Sequence, residues 1–166
     1  MMNIKDEIID WLRDAYAMER SQEAALEKIH NNSSESIQCR TAAATHLAES
    51  RQHADTVESL LRSLGEDISS FKTGLGVIAE KINGIGTNLS HDEAIKDLLS
   101  NYAIEHFEIA CYSAIAAAAD VAGLSHIANE CRQIILEEEK MAEIIRKELP
   151  RSVQEYFGAT AMAKAA

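Results

Sequence analysis

The sequence predicts an all-α protein, a bundle of four long helices arranged as two antiparallel hairpins and joined by a long crossover that contains a short helix. Two observations support this fold class. Proline occurs once, glycine seven times, and aromatic residues make up 5% of the 166 residues, whereas Ala, Leu, Glu and Lys, which favour helices, are plentiful. Apolar residues also recur at alternating steps of three and four, the period of a helix face that packs against a core.

The first hairpin is predicted to consist of one helix over residues 4–30 and a second helix over residues 35–64. Asn3 can cap the first helix, because a short polar side chain accepts a hydrogen bond from the first backbone N–H groups. The polar residues 31–34 predict the turn between the two helices. Gly65 predicts the end of the second helix, since glycine readily adopts the left-handed conformation that closes helices.

The crossover is predicted over residues 66–90, where four glycines punctuate a short amphipathic stretch. A segment of this length is too long for a tight loop and is typical of a connection that carries a short helix. Ser90 and Glu93 form a capping box, which predicts that the third helix begins there and spans about 91–122.

The fourth helix is predicted over 124–149, after a turn at Gly123. It is expected to end before Pro150, because the residue that precedes a proline avoids the helical conformation. A short C-terminal segment is expected over 152–166. All of these elements are expected to form a single domain.

Composition and charge exclude several classes of protein. The net charge of −11 argues against nucleic acid or an anionic membrane as a partner. Three cysteines without a CxxC spacing are typical of a reducing compartment. The longest uncharged apolar run, 109–119, is too short to span a bilayer, and acidic residues interrupt the N-terminal region where a signal peptide would lie. A soluble, cytoplasmic protein is therefore expected.

The residues predicted to face the core include polar side chains that point to a function. The predicted stripe of the first helix is Ile8, Leu12, Ala15, Glu19, Gln22, Leu26 and Ile29. The predicted stripe of the third helix is Leu98, Tyr102, Glu105, Ile109, Tyr112, Ala116 and Ala119. Each of the four helices carries a glutamate on or beside such a stripe, namely Glu19, Glu49, Glu105 and Glu138. A carboxylate that faces a core is costly unless it is paired or binds a cation, so the pattern predicts a metal site between the helices.

The depth of these glutamates below the predicted turns supports the same site. Glu19 lies 14 residues before Ser33, and Glu49 lies 16 after it. The glutamates of the third and fourth helices lie 18 residues before and 15 after the second turn. At about 1.5 Å per residue, these depths agree within roughly one helical turn. The four carboxylates are therefore expected to meet at one level.

Two further side chains can reach this level. Glu108 lies one turn after Glu105, and His53 lies one turn after Glu49, so each shares a helix face with its neighbour. The predicted metal ligands are therefore Glu19, Glu49, His53, Glu105, Glu108 and Glu138. Oxygen-rich sites of this kind suit iron or manganese. Two such ions are expected, and zinc could substitute for them.

Several neighbouring residues are expected to play lesser roles. His46, one turn before Glu49, is interpreted as a supporting or structural residue, and Gln22 as a residue that orients Glu19. Glu137 and Glu139 are expected to face solvent on either side of the ligand in the fourth helix. The tyrosines near the site, Tyr16, Tyr102 and Tyr112, are expected to pack in the core.

Four strings, at residues 10–19, 46–49, 105–112 and 136–140, resemble the YciE/YciF family of ferritin-like stress proteins. The resemblance extends over about 4–157, and the string that begins Glu-His-Phe-Glu is its most specific part. It implies a ferritin-like bundle with a di-metal centre, often dimeric and linked to bacterial stress responses. By position it implies metal binding by five of the predicted ligands, all except His53.

The chain also departs from the pattern of such bundles. At position 53, relatives in this family often carry glutamine, whereas this chain carries His53, which is the better ligand. Ferritin-like di-metal sites commonly pair a glutamate with a histidine three residues later. The fourth helix offers Met141 at that distance from Glu138, and no histidine.

These observations lead to two functional hypotheses. The first is a di-iron or di-manganese protein that oxidises Fe(II) or consumes peroxide under stress, because two bridged ions can clamp dioxygen or peroxide. The second is a non-enzymic helical stress or interaction protein whose metal site is structural or degenerate. A homodimer is expected in either case. A nucleic-acid-binding stress protein is disfavoured, since neither terminus is basic.

Overall fold

A computed structural model describes residues 3–31, 37–68 and 93–165, and nearly all of these residues are helical. Within these ranges lie four helices, namely α1 (Ile4–Asn31), α2 (Ile37–Ser63), α3 (Glu93–Val121) and α4 (Ser125–Ala165). No strand occurs within the described ranges, and the predicted all-α class is confirmed. None of the described helices is both long and apolar enough to cross a membrane.

The four helices pack as a bundle in which α1 pairs with α2 and α3 with α4. The two pairs meet through α1 against α3 and α2 against α4. The contacts between α1 and α3 run antiparallel, since Lys28 pairs with Asp97 at 3.7 Å whereas Glu19 meets Tyr112 at 2.7 Å. The bundle therefore brings the middle of α1 against the part of α3 around Tyr112.

The core consists of two apolar clusters with a polar layer between them. One cluster contains residues such as Leu12, Val57 and Ile134, and the other contains residues such as Leu26 and Leu98. The two clusters lie on either side of the buried polar residues, which occupy the intervening positions of each helix. Apolar packing above and below thus fixes the polar layer in place.

The predicted core stripe of α1 is confirmed, because all seven of its residues are buried. Five of the seven residues predicted for the core stripe of α3 are buried as well. Tyr102 and Ile109 are only half-buried, whereas Glu108 and Ile115 are 0% and 1% exposed. The buried face of α3 is therefore wider than the predicted stripe and includes Glu108.

Capping residues predicted from the sequence lie at several of the described helix ends. The Asn3 carboxamide oxygen accepts a hydrogen bond from the Lys5 backbone N–H at 3.2 Å and caps α1. Gly65 and Gly123 adopt positive φ angles of 88° and 73°, which L-residues with a side chain rarely adopt. Most of the predicted turn at 31–34 and of the predicted crossover at 66–90 lies outside the described residues.

The C-terminal part of the chain differs from the prediction that a helix ends before Pro150 and a separate segment follows. Instead, α4 continues through Pro150 to Ala165. Proline removes one backbone hydrogen bond, and Pro150 is exposed to solvent. Arg151 forms ion pairs with Glu148 at 4.0 Å and with Glu155 at 3.0 Å, so charged contacts bridge the proline on the helix surface.

Candidate metal centre

The polar layer contains glutamates and histidines that are withdrawn from solvent. Glu19, Glu105, Glu108, Glu138 and His46 are 0% exposed, and His53 is 2% exposed. All four helices contribute, with α2 providing the histidines. Charged groups are rarely buried so completely unless they are paired or coordinate a metal.

One group of potential ligand atoms comes from α2, α3 and α4. It consists of His46, Glu105, Glu108 and Glu138, whose ligand atoms all lie within 4.8 Å of one another. His46 Nε2 is 3.1 Å from Glu105 Oε2 and 3.4 Å from Glu138 Oε2. One imidazole nitrogen and three carboxylates therefore converge on a single small volume.

A second group lies beside the first and is formed by Glu19, His53 and Glu138, again within 4.8 Å. His53 Nδ1 is 2.9 Å from Glu138 Oε1 and 3.5 Å from Glu19 Oε1. Glu138 belongs to both groups, with Oε2 towards His46 and Oε1 towards His53. Its carboxylate thus lies where a bridging ligand would lie.

Each histidine also contacts a carboxylate on its outer side. His46 Nδ1 is 3.3 Å from Glu49 Oε2, and His53 Nε2 is 2.6 Å from Glu137 Oε2. Histidines that bind metal usually donate their other ring N–H to a carboxylate or carbonyl, which fixes the orientation of the ring. Both histidines therefore have the arrangement expected of metal ligands.

Most oxygens of the inner carboxylates lack a hydrogen-bond partner among the described residues. No oxygen of Glu105, Glu108 or Glu138 makes a hydrogen bond of normal geometry. Glu19 Oε1 accepts one from the Tyr112 hydroxyl at 2.7 Å, and Glu19 Oε2 has none. Unsatisfied buried carboxylates are strongly unfavourable, and a bound cation would satisfy them, so the residues present fit a metal site.

Burial and mutual repulsion raise the pKa values of most of these carboxyl groups. Burial raises the pKa of Glu105 to about 8. Burial, and then the charges of Glu19, Glu138 and Glu105, hold the pKa of Glu108 well above its usual range, although the Gln22 amide acts in the opposite direction. Burial also raises the pKa of Glu19. Without a cation, the layer therefore retains protons at neutral pH.

The histidines and Glu138 are instead shifted towards their charged forms, which means a raised pKa for each histidine and a lowered pKa for Glu138. Burial alone would lower the pKa of His53, but the contacts with Glu138 and Glu19 outweigh it and raise this pKa to about 10. His46 likewise has a pKa well above its usual value, because its contacts with Glu105 and Glu49 outweigh burial. Although burial favours protonation of Glu138, its contacts with His53 and Glu105 lower its pKa. Positive charge is therefore stabilised in this layer.

Five of the six predicted ligands meet in the two groups, and one does not. Glu49 lies at the edge, with its side chain 22% exposed and its carboxylate between His46 and Lys140. The contact with His46, and then Lys140, lowers the pKa of Glu49. The identification of the six residues as ligands stays a prediction.

His46 is the inner residue that sequence reasoning assigned to a lesser role. The buried face of α2 runs through His46, Ser50 and His53, at steps of four and three. His46 and His53 are seven positions apart, which is two helical turns, so they lie on the same face of α2. A predicted core face drawn through both histidines would have placed His46 inside the site. Glu49 then falls beside the face, as its partial exposure indicates.

Two further contacts were not expected from the sequence. Glu137, predicted to face solvent, contacts the outer nitrogen of His53. Tyr112, predicted to be a packing residue, also donates a hydrogen bond to Glu19. Neither contact has a signal in the local sequence, since each joins residues more than 80 positions apart.

Comparison with known families gives one match that covers most of the chain. The family described as "Domain of unknown function (DUF892)" matches residues 3–158. This range includes every residue of the two groups described above.

Solved structures share the fold over nearly the whole chain. A protein from Xanthomonas campestris pv. campestris is 26% identical, with a TM-score of 0.79, and the match covers 96% of this chain and 99% of that one. The E. coli stress protein YciF is 21% identical, with a TM-score of 0.78, and the match covers 93% and 99%. YcfI from Rhodopseudomonas palustris is 21% identical, with a TM-score of 0.71, and the match covers 88% and 94%. These similarities identify a ferritin-like bundle of the YciF type.

Proposed function

This chain belongs to the DUF892 family, that of the YciE/YciF proteins, and because its bundle encloses two adjacent carboxylate–histidine groups, we propose that it is a di-metal carboxylate protein. The observation that carries the proposal is the sharing of Glu138 between the groups, with one oxygen towards each histidine. A shared carboxylate between two sets of ligands is the arrangement that two neighbouring ions require.

The ligand set supports iron or manganese as the bound metal. Carboxylate oxygen with one imidazole per ion suits these metals, and zinc accepts the same atoms. The charges also balance, because two divalent ions offset the four inner carboxylates of Glu19, Glu105, Glu108 and Glu138 when both histidines are neutral. Ion binding would thus displace the protons that the raised pKa values retain.

Glu49 and Glu137 would act from outside the two groups. Each contacts the outer nitrogen of a histidine, so each would hold a ring with its inner nitrogen towards an ion. Glu49, also predicted as a direct ligand, would have to leave both Lys140 and His46 to reach an ion.

The proposed reaction is the oxidation of Fe(II) or the consumption of peroxide. Two bridged redox-active ions would supply the electrons for reducing dioxygen or peroxide. The chain itself would hold the ions, exclude bulk water through the apolar clusters on either side, and fix Glu19 through the Tyr112 hydroxyl. Complete burial of the ligands also favours a second candidate function, a structural ion that only stabilises the bundle.

A homodimer is proposed through the outer face of α3. Leu99, Phe107 and Val121 are 52%, 49% and 80% exposed. Four exposed alanines continue the same stripe, namely Ala103, Ala110, Ala114 and Ala117. A helix that is apolar on its outer face as well as its inner one normally packs against a partner, and small residues allow a second copy to approach closely.

A cytoplasmic location is also proposed. Cys111 and Cys131 are both free thiols, which is typical of proteins from a reducing compartment. The net charge of −11 supports the further proposal that nucleic acid is not a partner.

The first test is the metal content of protein purified without chelator, measured by inductively coupled plasma mass spectrometry. We expect about two ions per chain in the parent and fewer than one in Glu138→Gln, because the amide cannot bridge two cations. Glu139→Gln is the matched control, since Glu139 is the exposed neighbour on the same helix and should keep the parent content. Equal metal content in parent and Glu138→Gln would contradict the proposal.

Stopped-flow measurement of Fe(II) oxidation and of peroxide loss then separates the two candidate functions. Turnover by metal-loaded parent protein that is absent from Glu138→Gln treated with the same metal would support the redox reaction. Full metal content without turnover would support the structural ion instead.

A further inference from the structure

The centre is enclosed, so an ion must reach it through side chains that are not themselves part of the two groups. The ligand residues of both groups are no more than 2% exposed. A hydrated divalent ion must exchange some of its water for protein oxygen before it can pass between helices. The residue that performs this exchange has to lie at the surface and also contact the centre.

Glu137 meets both requirements as Glu49 does, but Glu49 also borders a cleft. It lines a cleft of about 360 Å³ between α2 and α4, together with Thr41, Thr45, Lys140, Met141 and Ile144. Its side chain is 22% exposed, and Oε2 is 3.3 Å from His46 Nδ1. The opposite nitrogen of His46 is 3.1 Å from Glu105 Oε2, inside the centre.

The other carboxylate oxygen of Glu49 pairs with a positively charged side chain of the same protein. Lys140 Nζ donates a hydrogen bond to Glu49 Oε1 at 3.3 Å. The lysine side chain is 63% exposed. An exposed ion pair of this kind is weak and opens readily. The lysine ammonium therefore occupies the position that an incoming cation would need.

We propose that the α2–α4 cleft is the access route for divalent cations and that Glu49 receives the hydrated ion when the ion displaces Lys140. The inference rests on the proposed function, because it needs a centre that binds such ions. From Glu49, movement of the His46 ring would connect the outer position to Glu105 and Glu138. Lys140 acts here as a displaceable counter-ion that keeps Glu49 paired until a cation arrives.

The test follows Co(II) binding to metal-free protein by visible absorbance in a stopped-flow instrument. Lys140→Met should bind Co(II) about threefold to tenfold faster than the parent, because the ammonium no longer repels the dication or competes for Glu49. Glu49→Gln should bind about tenfold more slowly, because the amide keeps the shape but loses the charge. At saturating Co(II), Lys140→Met should reach the parent number of Co(II) ions per chain.

Lys147→Met is the matched control. Lys147 lies on α4, pairs with Glu143 at 3.2 Å and does not line the cleft, so its loss changes the net charge equally. It should bind Co(II) at the parent rate. The difference between Lys140→Met and the parent should also shrink at high salt, because the ammonium is largely exposed to screening.

The possible results distinguish failure of the access route from failure of the proposed function. Equal rates in the parent and Lys140→Met, or equal acceleration by Lys147→Met, would overturn the route. A lower final Co(II) content in Glu49→Gln at an unchanged rate would make Glu49 a ligand of the centre and would also overturn it. Failure of the parent to bind Co(II) at equilibrium would refute the proposed function itself, and the route with it.

Discussion

The two buried histidines among the described residues each lie between an inner and an outer carboxylate. His53 is 2.9 Å from Glu138 on the inner side and 2.6 Å from Glu137 on the outer side. His46 is placed in the same way between Glu105 and Glu49. Without a metal, such contacts favour the protonated imidazole, whereas a metal requires the neutral ring. Protons and metal ions therefore compete for the same layer.

This competition predicts how the stability of metal-free protein depends on pH. The pKa of Glu105 rises from 4.5 to about 8 on folding, so its stabilising contribution is lost as the pH rises through 8. The pKa of His53 rises from 6.5 to about 10, so its contribution is complete below 6.5 and lost as the pH rises through 10. The pKa of Glu138 is lowered, so its contribution is lost only on acidification. The free energy of unfolding in EDTA should therefore fall between pH 6 and pH 9.

Urea titrations followed by circular dichroism at pH 6, 7, 8 and 9 would measure this slope. Glu105→Gln should have a shallower slope, since it removes one of the titrating groups, and Glu139→Gln should keep the parent slope. Saturating Mn(II) should raise the stability more at pH 8 than at pH 6, because metal replaces protons. Metal-free protein that became more stable between pH 6 and pH 9 would contradict the predicted proton retention.

The residues of the site could be predicted in part from the sequence. Glu19 and Glu138 were identified because each interrupts a regular apolar stripe, and that signal depends only on helical periodicity. His46 was expected beside the site and lies inside it, whereas Glu49 was expected inside and lies at the edge, because one step in the chosen phase moves a side chain by about 100° around the helix. The contact of Glu137 with His53 could not be predicted, since it depends on how α2 and α4 pack.

At the scale of elements, α4 is an exception to the rule that a helix ends before a proline. Pro150 lacks the N–H group that would donate to the carbonyl of Arg146, and its ring disfavours the helical conformation of the residue before it. The helix nevertheless continues, with Val153 and Tyr156 half-buried beyond the proline. Helix propensity alone predicted that the helix ends before Pro150. Propensity takes no account of burial, and residues beyond the proline are partly buried.

Pro150→Ala should strengthen the C-terminal part of α4. Alanine restores the backbone donor and removes the ring clash, changes that stabilise a helix interior by about 1–3 kcal/mol. Hydrogen–deuterium exchange of the amides of residues 151–158 should become slower. Ser152→Ala is the control, because it raises helix propensity by only a few tenths of a kcal/mol and restores no backbone donor. Faster exchange in Pro150→Ala would show that the proline supports the helix end.

At the scale of the whole molecule, polar and apolar surfaces are distributed unusually. The charged layer lies inside the bundle, between two apolar clusters, while α3 exposes an apolar stripe outside. No charged residue lies between Glu108, which is buried, and Asp120, which pairs with Arg132. The net charge of −11 would repel a second copy at most surfaces, so this uncharged stripe is the part of the described surface that best suits self-association.

The oligomeric state can be tested with one charge on that stripe. Phe107 is 49% exposed near the middle of the stripe, so Phe107→Glu would place two carboxylates in the interface of a twofold dimer and should weaken the dimer at least 100-fold. Phe157→Glu is the matched control, because Phe157 is 62% exposed on α4, outside the stripe, and its substitution should leave association unchanged. Sedimentation velocity between 1 and 100 µM would measure both dissociation constants. A monomeric parent, or a Phe107→Glu variant as dimeric as the parent, would exclude this face as the interface.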